Sequence, residues 1–132
     1  MKKKILIVDD APENIDFLVG ILKENYKIVA ARDGEKALKL AVSANPPDLI
    51  LLDVMMPGLD GFEVCRLLKK SDESSHIPVL FITGKSDDSD IHAGLKAGGD
   101  DFVLKPFNAG LVQCRIATHV ELHQLRKELQ TQ

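Results

Sequence analysis

The stretch Leu49–Glu63, LILLDVMMPGLDGFE, decides how the rest of the chain is read. Four apolar residues run without a polar break into Asp53, and a Met-Met-Pro-Gly turn follows at once. A continuous apolar run suits a strand buried on both faces, whereas a strand with one wet face would alternate apolar and polar residues. A carboxylate without a partner is costly to bury. Asp53 therefore belongs at the wet end of its strand, either by accident or for chemistry.

Working outward, the same kind of run recurs in KILIVDD from Lys4, YKIVAA from Tyr26, IPVLFIT from Ile77 and DDFVLKPF from Asp100. Helical spacing lies between the runs. Ile15, Leu18, Val19 and Leu22 fall at i, i+3, i+4, i+7, and Pro12 suits the first helical position, where no N–H is needed. Leu38, Ala41 and Val42 mark a second helix, and Val64, Leu67 and Leu68 a third. Asp87 to Ala97 is more polar, with Ser86 or Asp87 as an N-cap and Gly98 as a stop; a fifth helix begins after Phe107 and continues to the end. Five βα units in strict alternation imply an α/β fold: a doubly wound five-stranded parallel sheet, flavodoxin-like, order 2-1-3-4-5, with right-handed crossovers.

Bulk properties narrow the function. A chain of 132 residues fits one domain of the common size of about 100–150. A net charge of −3 and a pI near 5.8 argue against a nucleic-acid surface, so no direct nucleic-acid partner is expected. Lys2–Lys4 reads as a solvated lead-in to the first strand. Cys65 and Cys114 form no CxxC pair and read as small core hydrophobes of a reduced, cytoplasmic protein. No apolar run approaches the ~18 residues of a membrane span, and no signal-peptide h-region is visible.

In the 2-1-3-4-5 order, ligands bind beyond the carboxyl ends of the strands, where the sheet reverses direction. Those ends carry Asp9-Asp10, Asp53, Thr83-Gly84 and Lys105-Pro106. Three carboxylates at one rim repel one another and would hold protons unless a cation intervened. All-oxygen ligation is the preference of hard cations, and Mg²⁺ takes one or two carboxylates with waters and phosphoryl oxygens. A lysine and a hydroxyl across the pocket suit the charge of a phosphoryl group in transfer. Asp53 is then the natural nucleophile, since aspartyl phosphates are established covalent chemistry. Each residue also has a plain reading. Asp10 could cap the first helix, Asp9 and Asp53 could be loop-facing acids, and Thr83 could simply end a β-branched strand. Their joint placement favours the site.

These residues resemble the receiver domain of two-component response regulators. The likeness covers Lys4 to about Val120 and rests on the acidic pair after ILIV, the LLDVMMPGLDGFE block, FITG and DDFVLKPF. It implies that Asp53 accepts a phosphoryl group from the phosphohistidine of a sensor histidine kinase or phosphotransfer protein. Asp10, Asp53 and the Met55 carbonyl would ligate Mg²⁺ directly, Asp9 largely through water, and Thr83 and Lys105 would contact the phosphoryl oxygens. The resemblance further implies a cis Lys105–Pro106 bond and a switch in which Phe102 moves as Thr83 is drawn inward. The surface of the fourth helix, fifth strand and fifth helix would then change partners, a homodimer among them. Gly84 and Gly99 stand where alanine is common, which keeps access open; Met55 and Lys85 occupy positions that tune the lifetime of the phosphoryl group.

The receiver is expected to occupy residues 1–120, and 121–132 to extend the last helix. Thr118, Leu122, Leu125 and Leu129 fall at 4-3-4 spacing, as in a coiled-coil seam. The stripe could lie on its own domain, or lead to a second subunit or to an output module of diguanylate-cyclase or hybrid-kinase type. His119 and His123 are spaced as zinc ligands can be, but HVELH is not HExxH and no third ligand is apparent. His76 and His92 read as solvated. Three other classes fit these residues less well. A flavin or nucleotide domain would need a Gly- or Ser/Thr-rich loop where DDAPEN stands. A phosphatase with an aspartyl intermediate would carry a second acid at Met55. A phospho-independent interaction module would have lost one of Asp53, Lys105 or the acidic pair.

Overall fold

The computed structural model describes residues 2–84 and 88–130. Strands β1 (Lys3–Val8), β2 (Tyr26–Ala31), β3 (Leu49–Asp53), β4 (Val79–Thr83) and β5 (Asp101–Leu104) alternate with helices α1 (Pro12–Leu22), α2 (Gly34–Ala41), α3 (Gly61–Lys70), α4 (Asp88–Lys96) and α5 (Ala109–Gln130). The strands form one sheet in the order β2-β1-β3-β4-β5, and every neighbouring pair is parallel. This is the doubly wound sheet expected from the alternating runs.

Why the runs are continuous follows from the side-chain alternation of a strand. Ile5, Ile7, Leu49, Leu51, Leu80 and Ile82 face one side, against Leu18 and Leu22 of α1 and Val112 and Ile116 of α5. Leu6, Val8, Ile50, Leu52, Val79 and Phe81 face the other, against Ala37 and Ala41 of α2 and Val64, Cys65 and Leu68 of α3. Both faces are covered, so neither set can be polar. Each large aliphatic side chain buried this way contributes about 1.5–3 kcal/mol, and β3, at the centre, is buried along its whole length.

Local chemistry sets the helix starts. Asp60 accepts from Glu63 N at 2.9 Å while the Glu63 carboxylate accepts from Asp60 N at 3.2 Å, a reciprocal cap on α3. Asp33 caps α2 through Lys36 N at 2.9 Å. Gly98, at φ +97°, closes the turn after α4. The proposed cap of α4 at Ser86 or Asp87 lies outside the described residues, as does Lys85. A side chain at Gly61 would place its Cβ 2.3 Å from the Asp53 carbonyl oxygen, so the turn after β3 folds back only because that residue is glycine. Gly99 has a similar reason: a Cβ there would come 2.2 Å from the Phe81 ring, which makes close packing, rather than open access, the cause.

Three expectations need correction. Leu67 and Val42 are exposed: Leu67 falls beside the buried Val64–Cys65–Leu68 face of α3, and Val42 follows the last residue of α2. Cys65 is buried as expected, with its thiol near the Ala97 carbonyl, but Cys114 sits on the outer side of α5 and is exposed. Lys3 and Lys4 are strand residues, not a lead-in: Lys4 N donates to Asp48 Oδ2 at 2.9 Å and the Lys3 ammonium donates to Gln124 Oε1 at 2.5 Å.

Candidate functional site

Asp9 follows β1, Asp53 closes β3, Thr83 closes β4 and Lys105 follows β5, because parallel strands of similar length bring their carboxyl ends to one rim. Carboxylate oxygens of Asp9, Asp10 and Asp53 lie within 4.8 Å of one another, the sole such group of three possible ligands among the described residues. Asp9 is fully buried and Asp53 is 3% exposed, while Asp10 is half-buried. The Lys105 ammonium stands 3.7 Å from Asp53 Oδ1, which also accepts from Met55 N at 3.2 Å. Thr83 is buried beside them, and its carbonyl accepts from Lys105 N at 2.9 Å, which ties the two strand ends together. The Lys105–Pro106 bond is cis.

The two members of the acidic pair are held differently. Asp9 Oδ1 accepts from Ala11 N at 3.0 Å and its Oδ2 from Asn14 Nδ2 at 3.1 Å, so Asp9, rather than Asp10, braces the start of α1. The α1 N-cap is Ala11 with no side-chain cap, and Pro12 takes the first helical position. Asp10 is thereby left with its carboxylate toward the cluster, while its carbonyl accepts from Arg32 Nη2 at 2.9 Å. Neither Asn14 nor Arg32 was singled out from the sequence. Asn14 lies within DDAPEN and could have been found there; Arg32 follows β2 and carries no local signal.

Electrostatically the rim is strained by its own charge. Burial first, and then the neighbouring Asp9 carboxylate, push the Asp53 carboxyl up to about 6, against the opposing pull of Lys105 and the Met55 N–H. An all-oxygen cluster of this kind matches a hard divalent cation and offers nothing to a soft one. The residues present therefore fit magnesium.

Phe102, half-buried, lies with its ring centroid 5.5 Å from that of Phe81. Gly94 of α4 leaves room for it, since a Cβ there would meet Phe102 Cζ at 2.5 Å. Met55 is 76% exposed. His119 and His123 do not form a metal site: His119 Nε2 is 3.0 Å from Asp101 Oδ2, and His123 turns inward to stack on His76, centroids 5.6 Å apart.

Comparison with known proteins bears on what such a rim does. The family model described as "Response regulator receiver domain" matches residues 5–117. The chain is 44% identical over 117 residues to a probable cyclic di-GMP phosphodiesterase of Vibrio cholerae, covering 89% of this chain and 26% of that one. It is likewise 44% identical over 117 residues to response regulator PleD of Caulobacter vibrioides, covering 88% of this chain and 26% of that protein. It thus spans about a quarter of the length of these relatives. Among solved structures, the receiver domain of the sensor histidine kinase PA1611 from Pseudomonas aeruginosa superposes with a TM-score of 0.84 at 26% identity, covering 92% of this chain and 99% of that one. That structure is described as having a magnesium ion coordinated in its active-site cleft. No helix among the described residues is long and apolar enough to cross a membrane. The sheet order, the acidic rim and these relatives agree, and the chain belongs to the response regulator receiver domains of two-component signal transduction.

Proposed function

We propose that Asp53 is the phosphoacceptor of this receiver and that its donor is the phosphohistidine of a sensor histidine kinase or phosphotransfer protein. The observation that carries the reading is the Asp53 carboxylate at the end of a buried strand, 3.7 Å from the Lys105 ammonium and crowded by Asp9 and Asp10. An Asp53 oxygen attacks phosphorus, and the new O–P bond forms as the P–N bond breaks. The donor imidazole leaves with the bonding electron pair. A carboxyl that titrates near 6 is still mostly ionised at neutral pH, as a nucleophile must be. Lys105 pairs with the phosphoryl oxygens and the Thr83 hydroxyl donates to one of them. A magnesium ion held by Asp9, Asp10, Asp53 and the Met55 carbonyl would supply charge neutralisation for the incoming group.

Drawing Thr83 toward the phosphoryl group opens space on the inner side of β4, and Phe102, backed by Phe81 and the bare Gly94, has room to turn into it. The face formed by α4, β5 and α5 would change with it and alter its partner. A second copy is one such partner, seated either on that face or on the exposed Leu122, Leu125 and Leu129 of α5. The extension from 121 onward would then carry the signal to a fused or separate output. The exposed Met55 side chain offers no group to orient an attacking water, which favours a long-lived phosphoryl state. Met55→Asn should speed phosphoryl loss in a release time course, and a slower loss would count against this role.

The central test is incubation with a small acyl phosphate and Mg²⁺, followed by intact mass. Wild type should gain one acid-labile phosphoryl group and Asp53→Asn none. A wild type that gains no such mass would overturn the assignment.

A further inference from the structure

At the amino-terminal edge of the sheet, far from the acidic rim, a cavity of about 240 Å³ lies between the end of α3, the loop before β4 and the last turns of α5. Lys69, His76, Asp100, His123, Arg126 and Lys127 line it. His123 is 4% exposed, yet among the described residues no protein hydrogen bond reaches either of its ring nitrogens. No buried side-chain nitrogen is sealed off without a partner, so the His123 nitrogens open onto the cavity. Its ring is stacked on that of His76 at 5.6 Å and 16°. Ring nitrogens that open onto the cavity without a protein partner are free to meet a ligand or water there.

The surrounding charge selects the ligand. From α5, Arg126 and Lys127 face the cavity; from α3, Lys69; from β1, Lys3 acts on the same ring. The facing acids are Asp100, 3.6 Å from Lys69, and Asp48, 3.6 Å from Lys127. Four cations against two carboxylates leave an excess of two positive charges. Arg126 makes no ion pair among the described residues. A second cation would add to that excess, which argues against a metal at the histidine pair. We propose that this cavity is a binding site for a phosphate-class anion, held by Arg126, Lys127 and the two stacked histidines. The occupant would bridge the loop before β4 to the end of α5 and so hold that end against the domain.

The histidines already register the positive field. Burial and then Lys127 and His76 push His123 down to about 4, and burial, Lys127 and Lys69 lower His76. A bound phosphate opposes both effects, and its unprotonated oxygens accept hydrogen bonds from the ring N–H groups.

The experiment follows the ring protons of the four histidines by NMR at pH 6.5 and along a pH titration down to about 4. Inorganic phosphate is titrated against chloride at matched ionic strength, without Mg²⁺ and in the Asp53→Asn background, so that the acidic rim does not contribute. His76 and His123 should shift saturably while His92 and His119 stay fixed, and the His123 midpoint should rise by about one pH unit, a tenfold preference for the charged ring. Amide exchange from 121 to 130 should slow at the same time. The exposed substitution Arg126→Ala should weaken phosphate binding about tenfold or more. Equal drift of all four histidines, or shifts that chloride reproduces or that survive Arg126→Ala, would show an adventitious ion only and overturn the site. A parallel titration with glycerol 2-phosphate separates a pocket for the free ion from one that also admits a substituted phosphate.

Discussion

At the carboxyl ends of β1 and β3, Asp9, Asp10 and Asp53 crowd within 4.8 Å, while at the opposite edge His76 and His123 stack among Lys3, Lys69, Arg126 and Lys127. Each carries an excess of one charge sign, only partly offset by the ion pairs of Lys105 with Asp53 at the first and of Lys69 and Lys127 with Asp100 and Asp48 at the second. They differ in how they are supported. The acidic cluster stands on the ends of central strands and is braced by Asn14, Ala11 N, Met55 N and Lys105. The basic one is built where a helix end meets a loop, with exposed side chains on one wall. Rigid strand ends suit chemistry that needs fixed distances, and a helix end suits a contact that can be made or released.

That contrast can be broken most severely at Gly61. Because a Cβ would collide with the Asp53 carbonyl oxygen, Gly61→Ala should cost about 3 kcal/mol of stability and disturb the acidic rim. Chemical denaturation measures it, and an unchanged midpoint would mean the turn after β3 yields more readily than its packing implies.

The two clusters should also respond to acid with opposite sign. Asp53 titrates higher in the folded chain than its ordinary 3.8, so the folded state binds the proton more tightly. Its contribution therefore improves as pH falls from 7 through about 6 and levels off below about 4. In Mg²⁺-free buffer at pH 7, Asp53→Asn should be about 2 kcal/mol more stable than wild type, with the advantage shrinking by about 1 kcal/mol at pH 5. His123 titrates lower in the folded chain than its ordinary 6.5, so the unfolded chain takes the proton first. Its contribution is present above about 6.5 and is lost as pH falls toward 4, about 2 kcal/mol between pH 7 and pH 5 in the absence of phosphate. His123→Phe keeps a ring against His76 and should remove that slope; a slope that persists would place the acid sensitivity elsewhere. The smallest effect belongs to Arg32, whose single bond to the Asp10 carbonyl is exposed. Arg32→Ala should cost about 1 kcal/mol or less of stability and loosen Mg²⁺ affinity a few-fold by isothermal titration.

Much of this could be read without coordinates, and particular residues show why. The run Leu49–Asp53 reads as a doubly covered strand because no polar residue interrupts it, and four more such runs with helices between them fit the order that the sheet adopts. Once that order is granted, the ends of β1, β3, β4 and β5 must share a rim, which places Asp9, Asp10, Asp53, Thr83 and Lys105 together before any distance is known. The sequence by itself therefore determined the fold and the company Asp53 keeps, because strand ends and periodicity are properties of short segments. Only the tertiary structure decided that Asp9 braces α1 while Asp10 does not, that Arg32 holds the Asp10 carbonyl, and that His123 is buried against His76. The last two join segments distant along the chain that share no motif or period, so they are set by where the packed elements meet; the first is local, and only the packed strand end decides which of two adjacent carboxylates turns toward α1.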